Sequence, residues 1–157
     1  MEIGKEIAKC GRYVVHDRED SHLHLPAEMV RIVLERNYLG LRGVKEGDVV
    51  VRHLVGALPK RHPCYLIHTG PDWGSKYKIY YKKRGDRPYF SRMVKGATPR
   101  DTWSLTIVLK RIGDVFVILT AYAGDPSPKE PGDNSIQTPE EYKKSIHFWR
   151  THALIEH

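Results

Sequence analysis

From Lys76 to Gly124 the chain alternates in hydropathy with a period of two, and this stretch limits what the rest can become. Lysines and tyrosines interleave first; Thr102, Ser104 and Thr106 then alternate with Trp103, Leu105 and Ile107, and a nearly all-apolar run follows. Such a period puts one set of side chains on a core and the other on the opposite face of a sheet. The stretch predicts an antiparallel meander with segments near 76–84, 88–95, 102–111 and 115–123, turning at Gly85-Asp86 and over 98–101. The last turn decides which residues share a face. A two-residue Gly113-Asp114 loop would put Thr120 and Tyr122 beside Trp103 and Leu105. A three-residue loop over 111–113 pairs Lys110 with Asp114 and separates apolar from polar more cleanly, so it is the expected register. Ser104, Thr106, Thr120 and Tyr122 then lie together on an open face.

The flanks read as helical. Residues 3–10 place Ile3, Ile7 and Cys10 on one side of a weak helix ended by Gly11, and 12–15 read as a short extended piece. The charged segment 16–24 holds His22 and His24, but no defined ligand spacing completes a metal site, so a polar loop is expected and no metal or cofactor. Residues 25–37 form the clearest N-terminal helix, with Pro26 in its first turn and Leu25, Met29, Ile32 and Val33 on its core face. Short strands are expected at 49–51 and 64–70, and a proline-rich surface connection over 125–135. Thr138-Pro139-Glu140-Glu141 opens the last helix as a capping box, with Tyr142, Ile146, Trp149 and Ala153 along one side. The expected fold class is α+β in one domain over 1–157. It has a mainly helical part over 1–45, a twisted antiparallel meander of four to six strands over 48–124, and a C-terminal helix over 138–156 packed on the sheet.

Charge locates a function. Between Lys76 and Arg111 there are 11 Lys and Arg against two acids, a surplus of nine, while the whole chain nets +7. Charge concentrated on one sheet points to a polyanionic partner, because each neutralised phosphate releases counterions. A lysine-rich face that only guards an edge against pairing would have the same composition. No apolar run approaches the length of a membrane span, and the N-terminus lacks the basic-then-apolar order of a signal peptide, so the cytoplasm is the expected compartment and no membrane partner is. Cys10 and Cys64 are too few for a disulfide framework.

Metal-free RNA cleavage needs a base for the 2′-hydroxyl, stabilisation of the phosphorane charge and an acid for the leaving oxygen. The meander has the cations and hydroxyls, and Tyr77, Tyr80, Tyr81 and Tyr89 could stack bases. Among the histidines, His53 interrupts a valine-leucine run and either finds a partner in the core or points into a site. His68 ends a strand beside a glycine-rich loop. His62 reads as surface, and His147 and His152 fall on the last helix away from its apolar side.

Helices followed by a basic, hydroxyl-bearing meander resemble the superfamily that groups barnase, EndoU, colicin-type and RelE-type ribonucleases, in its phage and polymorphic-toxin branches. The resemblance is carried by RHLVGALP (52–59), YKIYYKKRG (77–85), DTWSLTIVLKR (101–111), ILTAYAGDPSPKEPGD (118–133) and SIHFWRTHALI (145–155). It implies a metal-independent endoribonuclease that leaves a 2′,3′-cyclic phosphate and is often paired with an inhibitor protein. The catalytic roles fall to His53 as base or acid, with Arg92, Ser104, Thr106, Thr120 and Tyr122. RNA binding falls to Lys76, Lys78, Tyr80, Lys82, Lys95, Lys110 and His68. The EndoU-like histidine pair and the barnase-like Glu plus His near the C-terminal strand are absent. A non-catalytic RNA-binding module and a phage or mobile-element partner-binding protein are the alternatives.

Overall fold

The computed structural model describes residues 2–157. It corrects the expected class: 39% of the chain is strand and 15% helix, so the fold is mainly β, with two α-helices, and not a meander capped by helical ends. The elements run β1 (Ile3–Cys10), β2 (Tyr13–Arg18), α1 (Ala27–Arg36), β3 (Val49–Leu54), β4 (His62–Cys64), β5 (Leu66–His68), β6 (Ile79–Lys83), β7 (Phe90–Val94), β8 (Arg100–Thr102), β9 (Leu105–Ile112), β10 (Val115–Ala123), α2 (Pro139–Trp149) and β11 (His152–Ile155). They gather into two compact units, one from residues 2–62 and 101–126, the other from 63–100 and 127–157. The chain passes between them three times, within the short strands β4 and β8 and again after Pro126.

The first unit is a five-stranded sheet in the order β1-β2-β10-β9-β3, and β2 runs parallel to β10 while its other neighbours are antiparallel. One face carries Val15, Leu105, Ile107, Leu109, Phe116, Ile118 and Ala121, all at most 1% exposed, and α1 packs Met29, Val30, Val33 and Leu34 into the same core. Where a helix was expected at 3–10 there is a strand. β1 folds back on β2 through a tight turn at Gly11-Arg12, and two register shifts, Ile3/Glu6 and Glu6/Ala8, break its period of two. Those shifts let Ile7 and Cys10, three residues apart as in a helix, both pack on the core, while Ile3 stays exposed. An isolated helix of eight residues is marginal in water, so edge pairing with β2 wins.

The expected meander is divided. β6 and β7 pair in the second unit, and β9 and β10 pair in the first. β3 takes the free edge of β9 and β11 the free edge of β7, so neither hairpin extends into the other. The β9–β10 turn also differs from the expected register. Ile112 pairs with Val115 across a two-residue Gly113-Asp114 loop, with Gly113 at φ 59°. Glycine adopts this left-handed backbone without a Cβ clash, which permits the tighter loop. The polar and apolar sides are then resorted by a bulge at Leu119, where Ile118 faces Leu109 and Thr120 faces Val108.

The second unit is a four-stranded sheet in the order β5-β11-β7-β6 around a small core of Val94, Ala153 and Ile155. Thr138 caps α2, its Oγ1 accepting from Glu141 N at 3.1 Å, and Pro139 occupies the first turn. The helix ends at Trp149 and not at 156. Beyond Arg150 and Thr151, alternating His-Ala-Leu-Ile fits a strand that buries Ala153 and Ile155, and β11 pairs antiparallel with β5 and parallel with β7. Among the described residues, no helix is long and apolar enough to cross a membrane.

Candidate functional site

In the first unit, His53 faces Thr106 and Thr106 faces Tyr122, a direct row across β3, β9 and β10. Thr120 lies further along the same face. His53 Nε2 lies 3.1 Å from Asp125 Oδ1, an exposed carboxylate that the sequence does not single out. The hydroxyls are occupied. Thr106 is fully buried and donates to Gly124 O at 2.7 Å, Thr120 donates to His22 O at 3.2 Å, and Ser104 Oγ accepts from Gly56 N at 3.3 Å. Lys110 sits four residues from Thr106 along β9, roughly 13 Å away at strand rise. The row has an imidazole and hydroxyls but no cation beside them.

Charge collects in the second unit, which carries 13 Lys and Arg against seven acids, six of the chain's seven net charges. Arg92, expected among the catalytic residues, belongs here, and its guanidinium is spent inside the protein. It is 5% exposed, and all five guanidinium donors are engaged: Nε and Nη2 with Asp72 Oδ1, Nη1 with Thr69 Oγ1 and His152 O, and Nη2 also with Gly70 O. An arginine has five N–H donors, so none is left for a ligand. It ties the end of β5, the short 3-10 turn Asp72–Gly74 and the start of β11 together.

Two of the lysines expected to bind RNA, Lys82 and Lys95, are paired with a carboxylate. Glu156 gathers Lys82 at 2.6 Å and Lys95 at 3.5 Å, and these cations with the neighbouring Tyr80 pull its pKa down to about 2. Burial, then Glu156, pushes the Tyr80 phenol up to about 12. Lys95 Nζ also lies 5.4 Å from the Tyr80 ring centroid, and Lys76 Nζ lies 5.3 Å from that of Tyr77. Lys78 is exposed.

The arrangement best suited to proton transfer is one that a helical reading of 138–156 hides. His152 and His68 sit directly opposite each other on β11 and β5, with ring centroids 5.0 Å apart and planes nearly perpendicular at 85°. His152 stacks on Phe148 at 3.9 Å and 7°. Its Nδ1 is 2.9 Å from the Phe148 carbonyl and 3.1 Å from Thr151 Oγ1; the carbonyl can only accept, so the tautomer that satisfies it protonates Nδ1 and leaves Nε2 as the base. Burial lowers the His152 pKa; the Phe148 bond opposes this, and the nearby His68 and Arg92 lower it further. A half-buried imidazole whose charged form is disfavoured thus faces an exposed one. Counting two residues back from the Leu154–Met93 pair brings His152 level with Ser91, whose partner on β6 is Lys82. The alternation of 152–155 was the signal available in the sequence.

No family model, curated protein or solved structure matches the chain. Among the described residues no group of three or more His, Cys, Asp or Glu side chains gathers as metal ligands would.

Proposed function

We propose that the chain is a metal-independent endoribonuclease whose reacting groups are His152 and His68. The observation that carries this reading is the direct cross-strand pairing of the two imidazoles in the unit that holds nearly all of the net positive charge. His152 Nε2 takes the proton of the 2′-hydroxyl, and the 2′-oxygen attacks phosphorus. The bond to the 5′-oxygen breaks, and His68 in its protonated form hands that oxygen a proton. The products are a 2′,3′-cyclic phosphate and a 5′-hydroxyl. Lys82, on the same row of the sheet, is the nearest lysine in register and would offset charge on the phosphorane only by leaving Glu156, whereas Arg92 acts on the reaction only by positioning the His152 backbone. This reading moves the base from His53 to His152, because no Lys or Arg neighbours His53 in its row.

The test is cleavage of a mixed-sequence RNA by wild type, His152→Asn and His68→Asn, with a 2′-deoxy strand as control and melting temperatures for each variant. Each substitution is expected to slow cleavage by about 10²- to 10⁴-fold, leave melting near wild type and leave the deoxy strand uncut. Addition of a chelator is expected to change nothing. Undiminished cleavage in both variants, or loss of cleavage in His53→Ala alone, overturns the assignment.

A further inference from the structure

Glu156 continues the alternation of β11, two residues past Leu154 and four past His152, and its N–H still donates to Val94 O at 2.8 Å. Its side chain is therefore on the face of the sheet that carries His152, Ser91 and Lys82. Oε1 takes Lys82 Nζ at 2.6 Å, and Oε2 lies 3.5 Å from Lys95 Nζ, one lysine to each oxygen. Two charged oxygens shared between two ammonium groups are also what an unesterified pair of phosphodiester oxygens would present.

The surroundings are built for an anion. Beside the carboxylate is a cavity of about 230 Å³, walled in part by Lys82, Lys83, Arg84, Met93 and Leu154. Among the described residues, Glu156 is the only acid on that wall. Tyr65 and His157, stacked at 3.7 Å and 14°, form another side. The Tyr80 hydroxyl is enclosed near the carboxylate and makes no hydrogen bond of acceptable geometry, which leaves a donor for an oxygen placed slightly differently. The hold on Glu156 is nonetheless easily broken. The Lys82 and Lys95 side chains are 54% and 73% exposed, and ion pairs so open to water contribute little to stability.

We propose that Glu156 is a resident anion that closes a phosphate site formed by Lys82 and Lys95, and that a phosphodiester of a bound strand displaces it; the proposal rests on the reading of the chain as an RNA-cleaving protein. The exchange keeps charge balanced: the lysines pass from one pair of oxygens to another, and the carboxylate turns to water. A strand that reaches His152 and His68 lies along the same face, so it meets the closed site. Its other contacts offset the loss of the Glu156 pair. A lone phosphate has no such contacts and leaves the carboxylate in place.

Anisotropy of a labelled 2′-deoxy single strand, which has no 2′-hydroxyl to react, tests this on wild type and variants. Glu156→Gln is expected to tighten binding by about fivefold or more, since two phosphate contacts no longer compete with a carboxylate. Asp86→Asn removes the same charge from the exposed β6–β7 turn and is expected to change affinity by about twofold or less. Lys82→Met is expected to weaken binding by about twofold in wild type and about fivefold or more in the Glu156→Gln background, because only there is the lysine free beforehand. A readout that needs no variant is the Glu156 side-chain carboxyl resonance, which is expected to move on saturation with the strand and to stay in place with inorganic phosphate. A resonance that the strand leaves unmoved, Glu156→Gln binding no tighter than Asp86→Asn, or equal effects of Lys82→Met in both backgrounds overturns the proposal. Movement by inorganic phosphate alone overturns the strand as the displacing ligand. Displacement without cleavage of the matching RNA overturns the reaction and not the closed site, and cleavage with Glu156 unmoved does the reverse.

Discussion

Replacing Arg92 by Met tests whether the guanidinium is a strut or a ligand group. The side chain is 5% exposed and makes five hydrogen bonds to four residues, of which Asp72 is the only charged one. Asp72 is 59% exposed, so its carboxylate turns to water when Arg92 is gone and contributes little to the loss. Gly70 O keeps a donor in Thr69 Oγ1 at 2.7 Å, whereas Thr69 Oγ1 and His152 O each lose a charge-assisted donor at 2.7 and 2.9 Å. Bonds to charged groups contribute about 1.5–3 kcal/mol each, and breaking a buried ion pair costs about 3–5 kcal/mol in all. The exposure of Asp72 puts Arg92→Met near the lower end, about 3 kcal/mol, or a factor of roughly 150 in the folding equilibrium. Arg92→Lys, with three donors and no planar fork, is expected to recover part of this. Urea denaturation followed by tryptophan fluorescence measures it. The salt dependence of RNA binding, read as the slope of log K against log salt, is expected to stay at its wild-type value, because no Arg92 donor is available for phosphate. A stability loss under 1 kcal/mol would show that water replaces the five bonds freely, and a shallower salt slope would return Arg92 to the phosphate.

The same geometry sets three further expectations. The His152 imidazole, whose charged form burial disfavours, should titrate below the ordinary value of about 6.5 in an NMR pH series. Since its folded pKa is depressed, the stability it brings is present above that ordinary value and is lost as pH falls below it, and His152→Asn should flatten this limb. Lys82→Met should move the Glu156 carboxyl up from about 2 toward the ordinary glutamate range, seen by carbon NMR of the side chain; a carboxyl still near 2 would mean that Tyr80 and Lys95 suffice. Ser91→Ala should be neutral or stabilising by up to about 1 kcal/mol, because Ser91 Oγ is buried with no partner, and a loss above 1 kcal/mol in chemical denaturation would reveal a bond that the hydroxyl makes.

What was legible in the sequence was local, and what was not depended on partners distant along the chain. The period of two over β9 and β10 marks real strands, and Thr138 with Glu141 marks a real helix start, since each pattern is set by residues within a few positions of one another. The division of the meander was hidden because the partners that stop it, β3 and β11, lie far from it along the chain. Register failed for a related reason. The clean separation that favoured a three-residue loop is reached instead by a two-residue loop plus a bulge at Leu119, two faults in phase that cancel by Ala121. The candidate site shows the same limit. Arg92 reads as a free cation on a basic strand until Asp72, Thr69, Gly70 and His152 are brought around it from both flanks. His152 reads as a helical surface residue until residues 152–155 become a strand and set its ring across from His68, 84 positions earlier. A basic composition announces a polyanion, but only the fold decides which cations are spent on holding the protein together and which remain to meet it. Here Arg92 and Lys82 are engaged inside the unit, while His152 and His68 meet across two strands that no spacing rule pairs.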